Sequence, residues 1–179
     1  FESSLEVTDN RSLHSLSIDA LTQIDGDTNI VNNDALKAFS MDGLQHIGGS
    51  LFIADNRSLS AFYLDSLETV SDQVSIDNNA SLTKLIIDQL LSTGGDLHIA
   101  RNDTLRTLSF SDLTKVHGLS IVDNERLASF TLDELTTISS WVEFDNNAVL
   151  CQSLADIFVD ALEQLGWSGE LYGADLADC

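Results

Sequence analysis

One asparagine recurs along this chain at a nearly constant interval. Successive copies are 23, 23, 23, 23, 22 and 23 residues apart, and a leucine follows each of them three positions later. The asparagines are Asn10, Asn33, Asn56, Asn79, Asn102, Asn124 and Asn147. A repeat of this length is typical of solenoids, in which each coil buries its apolar residues only against its neighbours.

The apolar residues within each repeat alternate with polar ones. Leu5 and Val7 precede the first asparagine, Leu16 and Ile18 follow it, and both pairs return in later repeats. Alternation with period two predicts strands, and strands this short are stable only beside equivalents from the next coil. We therefore predict an all-β, parallel β-solenoid of about seven coils, with two strands and a turn-rich third side per coil. The usual chirality of parallel crossovers makes it right-handed.

The asparagine column predicts a buried ladder. An asparagine amide carries both donors and acceptors, so a stacked column can satisfy backbone groups that the turns leave unpaired. Four of the asparagines, Asn10, Asn56, Asn79 and Asn102, lie in N-x-S/T sequons. Because a buried ladder residue is inaccessible, we do not expect these four to carry glycans.

A column of aspartates follows the second strand. Its members are Asp19, Asp42, Asp65, Asp88 and Asp133, with Ser111 in the remaining coil. Such residues can end a strand in an Asx-turn. Alternatively, a line of carboxylates about 5 Å apart can collect divalent cations. We favour the turn and predict no metal and no cofactor.

The repeat stops at Leu150, so we divide the chain into a solenoid, residues 1–150, and a cap, residues 151–179. Apolar residues within 153–165 follow a helical period, with Ser153 placed to cap the helix and Gly166 placed after its end. Glu170–Tyr172 can add a last strand. The two cysteines, Cys151 and Cys179, flank this unit and predict a disulfide clip, and hence an extracytoplasmic location. No comparable lid precedes Leu5, so the first coil is a candidate surface for self-association.

Charge limits the partners of this protein. The chain has 29 acidic and 8 basic residues, a net charge of −21. Such a surface repels nucleic acid and anionic membranes. No apolar run approaches the roughly 18 residues of a membrane span, so we expect no direct insertion into a bilayer.

Two stretches carry a resemblance to a known family. GGSLFIADNRSLSAFYLDSLETV and HGLSIVDNERLASFTLDELTTI resemble the receptor L-domain-like family of leucine-rich-repeat-related β-solenoids, and the C-terminal stretch is similar to the helical cap of its bacterial members. The resemblance implies a cell-surface protein whose sheet face binds a ligand. Members often carry proline where this chain has its aspartate column.

We predict a non-catalytic binding or adhesion module that presents a flat sheet face to a protein or glycan at a cell surface. The strand that contains Leu5 and Val7 points its intervening residues outward. The middle of these outward columns is small and apolar around an aromatic residue. The predicted binding residues are Phe52, His98, Val31, Ala54, Asp77 and Ala100.

Two alternatives remain. One is a structural element of a cell envelope or surface appendage that assembles end to end. The other is an enzyme of the polysaccharide lyase type, in which Asp55, Asp77, Arg101 and Asp123 meet on successive coils. Coils that differ by one residue in length leave no long loop to wall a cleft, so we predict that the protein is not an enzyme.

Overall fold

The computed structural model describes residues 3–173 and 176–179. The predicted units 1–150 and 151–179 therefore each contain two residues that lie outside the described part. The chain winds into a parallel β-solenoid of about six complete coils, and the first strand of a seventh coil leads into the cap. Strands from equivalent positions of successive coils stack into three faces, numbered here in the order in which the chain passes through them.

Face 1 is a continuous sheet of eight parallel strands. Its strands are four residues long in the first six coils and five residues long in the seventh. They are β1 (Leu5–Thr8), β4 (Thr28–Val31), β7 (Leu51–Ala54), β10 (Val74–Asp77), β13 (Leu97–Ala100), β16 (Leu119–Val122), β19 (Trp141–Asp145) and β20 (Glu170–Tyr172).

Face 2 consists of two separate sheets of three strands each, and the seam between them lies between the third and fourth coils. The first sheet contains β2 (Ser15–Ser17), β5 (Ala38–Ser40) and β8 (Ala61–Tyr63). The second contains β11 (Lys84–Ile86), β14 (Thr107–Ser109) and β17 (Ser129–Thr131).

Face 3 is rich in turns, as predicted, but these turns flank a short parallel sheet that was not predicted. The sheet has six strands of two residues each. Each strand contributes one inward residue, which is too little alternation to show in the sequence. The strands are β3 (Gln23–Ile24), β6 (His46–Ile47), β9 (Thr69–Val70), β12 (Ser92–Thr93), β15 (Lys115–Val116) and β18 (Thr137–Ile138).

The inward residues form one apolar core along the solenoid axis. Leu51, Leu64, Leu85 and Ile99 are among the core residues with no exposed surface. Within the core, Phe39 and Phe62 stack from adjacent coils with their ring centroids 5.2 Å apart. The alternating apolar pattern that predicted the strands is therefore also the pattern that fills the core.

The predicted asparagine ladder is present. From Asn10 to Asn124, each backbone N–H in the column donates to Oδ1 of the asparagine in the next coil, at 3.0–3.2 Å. From Asn33 onward, each Nδ2 donates to a backbone carbonyl of the preceding coil, at 2.6–2.9 Å. All members are fully buried except Asn10, which is exposed. Burial therefore protects the sequons at Asn56, Asn79 and Asn102 but not the one at Asn10.

The residue before each ladder asparagine turns the chain from face 1 towards face 2. All seven of these residues have a positive φ, between 52° and 58°. Six of them are Asp or Asn, which tolerate the left-handed region better than other non-glycine residues. The exception is Arg101, with φ 52°. The sharp corner is therefore built into the sequence one position before the ladder.

The cap contains one helix and the last strand of face 1. Helix α1 (Gln152–Gln164) begins after Cys151, not at the predicted Ser153, and its first turn has no side-chain cap. Cys151 has extended backbone because it forms a parallel bridge with Ala177, so the helix starts directly from that bridge. Gly166 ends the helix with φ 94°, as predicted. Among the residues that the structure describes, no helix has the length and apolar character needed to cross a membrane.

Cys151 and Cys179 form the predicted disulfide. Their Cα atoms are 5.8 Å apart, and the bond closes a loop with a sequence separation of 28. The backbone N–H of Gln152 donates to the carbonyl of Ala177, and the N–H of Ala177 donates to the carbonyl of Leu150, both at 2.9 Å. The disulfide and these two hydrogen bonds tie the end of the chain to the start of the helix.

We predict that Asn79→Ala lowers the free energy of unfolding by about 2–6 kcal/mol. The change leaves the N–H of Asn56 and the carbonyl of Ile53 buried without their partners, and each unsatisfied group costs about 1–3 kcal/mol. Guanidinium denaturation followed by circular dichroism measures the effect. Asn10→Ala is the matched control, since Asn10 is exposed, and it should cost less than about 1 kcal/mol. Equal effects of the two changes would contradict a buried ladder.

Candidate functional site

The predicted binding residues lie in two adjacent outward columns of face 1. The strands pair in parallel so that Phe52 lies opposite Asn29 on one side and Ser75 on the other. His98 lies opposite Ser75 and Ser120. Phe52 and His98 are therefore two strands apart, which corresponds to about 10 Å.

Phe52 and His98 flank a small, covered residue. Each is partly exposed, whereas Ser75 between them retains only 8% of its surface. The two rings thus stand on either side of a short side chain on a regular sheet. This arrangement gives a partner two partly exposed rings on a rigid support.

The neighbouring column contains the other four predicted residues, Val31, Ala54, Asp77 and Ala100, in register on β4, β7, β10 and β13. Val31, Ala54 and Asp77 are partly exposed. Ala100 is fully buried, so its place among the partner-contacting residues was wrong. Its single methyl group is short and lies between the longer side chains of Asp77 and Val122 on the adjacent strands.

The two ends of the Phe52 column are acidic and internally bonded. Asn29 Nδ2 donates to Glu6 Oε1 at 2.7 Å, and Ser120 Oγ donates to Glu143 Oε2 at 2.9 Å. Both carboxylates therefore already have a hydrogen-bond donor within the protein. The less polar middle of the column is therefore its most available part.

An aromatic cluster at the C-terminal end of face 1 was missed by the sequence analysis. Trp141, Glu143 and Tyr172 line a shallow depression of about 310 Å³. A Cβ on Gly118 would lie 2.7 Å from the Trp141 ring, so the indole lies directly over this glycine. The sequence contained one sign of this cluster, which was the position of Trp141 two residues before Glu143 in the strand of the seventh coil.

Tyr172 is held by a carboxylate of its own strand. Its hydroxyl donates to Glu170, and this hydrogen bond is the main reason that the pKa of Tyr172 is raised above its usual value of about 10. The phenol is therefore protonated at neutral pH, and it donates its hydrogen to the Glu170 carboxylate.

The aspartate column links successive coils. The Asp19 carboxylate accepts hydrogen bonds from the Ser40 hydroxyl and, at 3.3 Å, from the Asp42 N–H. The Asp88 carboxylate accepts them from the Ser109 hydroxyl and, at 3.2 Å, from the Ser111 N–H. These two residues do not form the predicted Asx-turn: each carboxylate accepts from the next coil, because stacking brings that N–H within reach. Asp19 also accepts from the Ser17 hydroxyl of its own coil at 2.7 Å. Within residues 3–173 and 176–179, no group of three His, Cys, Asp or Glu is placed to hold a metal ion.

The residues of the predicted lyase arrangement are only partly assembled. Arg101 donates to Asp77, and it lines a depression of about 500 Å³ together with Asp123. Asp55 does not line this depression and instead accepts a hydrogen bond from Asn78 Nδ2 at 2.5 Å. The guanidinium and the Asp77 carboxylate are thus paired with each other.

Comparisons with known proteins add no relative. The chain matches no protein-family model, and searches of curated proteins and of solved structures give no significant match. The resemblance to the receptor L-domain-like family therefore stays a prediction based on the repeat.

We predict that Ser109→Ala makes the protein lose less stability in acid than the wild type loses. Hydrogen bonding from Ser109 is the largest cause of the lowered pKa of Asp88. Because this pKa is lower in the folded protein than the unfolded value of about 3.9, the carboxylate stabilises the fold above about pH 4, and that contribution is lost as the pH falls through the lower folded pKa. Without Ser109 the folded pKa should rise towards the unfolded value.

Carboxyl-detected NMR titration measures the pKa of Asp88 in the folded wild type and in the folded variant. Asp19 is the internal control, since Ser40 and Ser17 lower its pKa independently. An unchanged pKa of Asp88 in the variant would show that Ser109 does not hold the carboxylate.

Proposed function

We propose that this protein is a non-catalytic extracellular binding module that presents face 1 to a protein or glycan at a cell surface. The observation that carries the proposal is the position of Phe52 and His98, two partly exposed rings in one column of an uninterrupted eight-stranded sheet. Aromatic residues on a rigid surface are common anchors of binding interfaces because little side-chain entropy is lost when they are covered. The predicted resemblance to receptor L domains supports the same face.

The charge of the protein narrows its partners. A net charge of −21 disfavours nucleic acids, anionic lipids and acidic glycans. The acidic ends of the Phe52 column, at Glu6 and Glu143, attract basic groups towards face 1 through their charge. A neutral or basic partner that covers the apolar middle of face 1 fits this distribution.

Location and lack of catalysis are parts of the same proposal. The Cys151–Cys179 disulfide favours an oxidising compartment, because such bonds are rare where thiols are kept reduced. The nearly constant coil length favours a binding surface, because catalytic clefts are usually built by long loops between regular elements.

We predict that the double change Phe52→Ala and His98→Ala reduces affinity for the partner by about 5- to 30-fold, or about 1–2 kcal/mol. Arrays of basic extracellular proteins and of basic oligosaccharides identify the strongest binder, and calorimetry then measures its affinity for each variant. Thermal stability should change little because both side chains point away from the core. Ser129→Ala, an exposed position on face 2, is the matched control. Unchanged affinity in a folded double variant would remove face 1 as the site.

A second candidate function is end-to-end assembly in an envelope or appendage. Leu5, Leu13 and Leu16 of the first coil are partly exposed, whereas Leu51, Leu59 and Leu85 in later coils are fully buried. Residues 3–173 and 176–179 supply no element that covers this coil. At the other end, Ile157 and Leu165 of the cap are 66% and 62% exposed, so both ends offer apolar surface.

We predict that, under this second function, sedimentation velocity shows species that grow with protein concentration. Ile157→Glu should abolish that growth, because it places a charge in the apolar contact, while Phe52→Ala should leave it unchanged. A single sedimenting species up to millimolar concentration would exclude assembly through these ends.

A further inference from the structure

Within the part of the chain that the structure describes, the seam in face 2 is the one place where stacked strands of neighbouring coils fail to pair. β8 and β11 belong to different sheets, although the same two coils pair normally on face 1, through β7 and β10, and on face 3, through β9 and β12. The coils are therefore held at their usual spacing on both sides of a local opening. The opening is a property of face 2 alone.

Two backbone hydrogen bonds that other coils make are missing at the seam. Elsewhere the N–H at the start of face 2 bonds to the preceding coil, as Ser60 does to Lys37 and Arg106 does to Thr83, both at 3.0 Å. The equivalent bond from Thr83 to Ser60 is absent. Likewise, the N–H of Met41 donates to the Tyr63 carbonyl at 3.0 Å, but the equivalent bond from Leu64 to Ile86 is absent.

The side chains around the seam also depart from their columns. Equivalent positions on the second strand are Ser17, Ser40, Ser109 and Thr131, but here they are Tyr63 and Ile86, which are 48% and 37% exposed. Ser40 and Ser109 each donate a hydroxyl hydrogen bond to the aspartate of the preceding coil, Asp19 and Asp88 respectively. Ile86 has no hydroxyl, so the Asp65 carboxylate lacks this partner.

These departures surround a single cavity. Its volume is about 310 Å³, at the lower end of the range for ligand sites, and its lining includes Tyr63, Asp65, Thr83, Lys84 and Ile86. One wall offers an aromatic ring and a branched alkyl group. The other groups are a carboxylate, an ammonium, a hydroxyl and peptide groups without their usual bonds, so donors and acceptors are both present.

We propose that this seam is a binding subsite for a neutral saccharide, separate from the site on face 1. A sugar ring presents a C–H face that packs on the Tyr63 ring and Ile86. Its hydroxyls, each a donor and an acceptor, match Asp65, Lys84 and the peptide groups of Thr83 and Ile86. Buried polar groups normally have partners, so unbonded peptide groups beside a cavity are matched to a hydroxylated ligand.

Size and charge decide against other ligands. A peptide strand inserted between β8 and β11 would need two strand spacings, about 9.6 Å, but the coils are held at one spacing by their pairs on faces 1 and 3. A uronate or sulfated sugar would bring negative charge to a protein of net charge −21, beside Asp65 and with Lys84 as the single basic residue in the cavity lining. A neutral mono- or disaccharide unit fits both limits.

The test begins with an array of neutral oligosaccharides of glucose, galactose, mannose, xylose and N-acetylglucosamine, with uronate and sulfated oligosaccharides as the charged arm. We expect binding in the neutral arm alone. Affinity for the best neutral oligosaccharide, measured by NMR titration, should fall at least tenfold in Tyr63→Ala and stay within threefold in Tyr63→Phe, which keeps the ring. Phe52→Ala with His98→Ala is the face 1 control and should leave this affinity unchanged.

Amide hydrogen exchange locates the ligand. In the free protein the Thr83 and Leu64 amides should exchange faster than the equivalent Arg106 and Met41 amides, and the oligosaccharide should slow the first pair only. Absence of binding by every neutral oligosaccharide at millimolar concentration, or equal affinity of a folded Tyr63→Ala variant, would overturn the proposal. Loss of this affinity in the folded Phe52→Ala and His98→Ala variant would place the saccharide on face 1 and would also overturn the proposal. Unchanged binding of a basic partner in that variant would count against face 1 alone, so the two sites fail separately.

Discussion

The hydrogen bonds of the asparagine ladder are the interaction on which the rest of this structure depends. At each corner a residue with positive φ turns the chain away from face 1, and the adjacent peptide groups lose their partners in the sheet. Each ladder side chain makes two hydrogen bonds to the preceding coil. The Oδ1 of Asn79, for example, accepts from the N–H of Asn56, and its Nδ2 donates to the carbonyl of Ile53. Because unsatisfied buried peptide groups are costly, the ladder holds every coil at the same spacing and in the same register. The apolar columns can then stack in register.

That dependence explains which parts of the fold were predictable. The ladder and the inward columns impose a chemical requirement on every coil, so they recur in the sequence and predicted faces 1 and 2, the core and the position of the cap. Face 3 carries a single inward residue per strand, such as Ile24 or Ile47, and leaves no alternation to detect. The start of the helix depended on the bridge between Cys151 and Ala177, a contact between residues distant in sequence. Ser153 satisfied the local rule for a cap, but the bridge set the first turn.

The residues of the candidate sites were predictable for a different reason from those of the core. Outward positions have no stacking requirement, so a departure there, such as Phe52 among small residues, is readable from the sequence. Whether that residue is accessible is not readable, because accessibility depends on neighbouring strands, as the buried Ala100 shows. The seam was harder to predict still. The core columns run through it without interruption, since Leu64 and Leu85 are as buried as their equivalents. The missing backbone hydrogen bonds reveal the opening, and the sequence marks it only by Tyr63 and Ile86 in a column of serine and threonine.

Both proposed sites lie on the middle coils, and the mechanics of a solenoid give a reason. A coil is stabilised by its two neighbours, so the terminal coils open most easily and the middle ones stay most ordered. Phe52 and Tyr63 belong to the third coil, Ile86 to the fourth and His98 to the fifth. Side chains on these coils are held in place before a partner arrives, which lowers the entropy lost on binding. The acidic residues towards the ends of the Phe52 column then act over longer distances, where they repel anionic competitors without having to fit a surface closely.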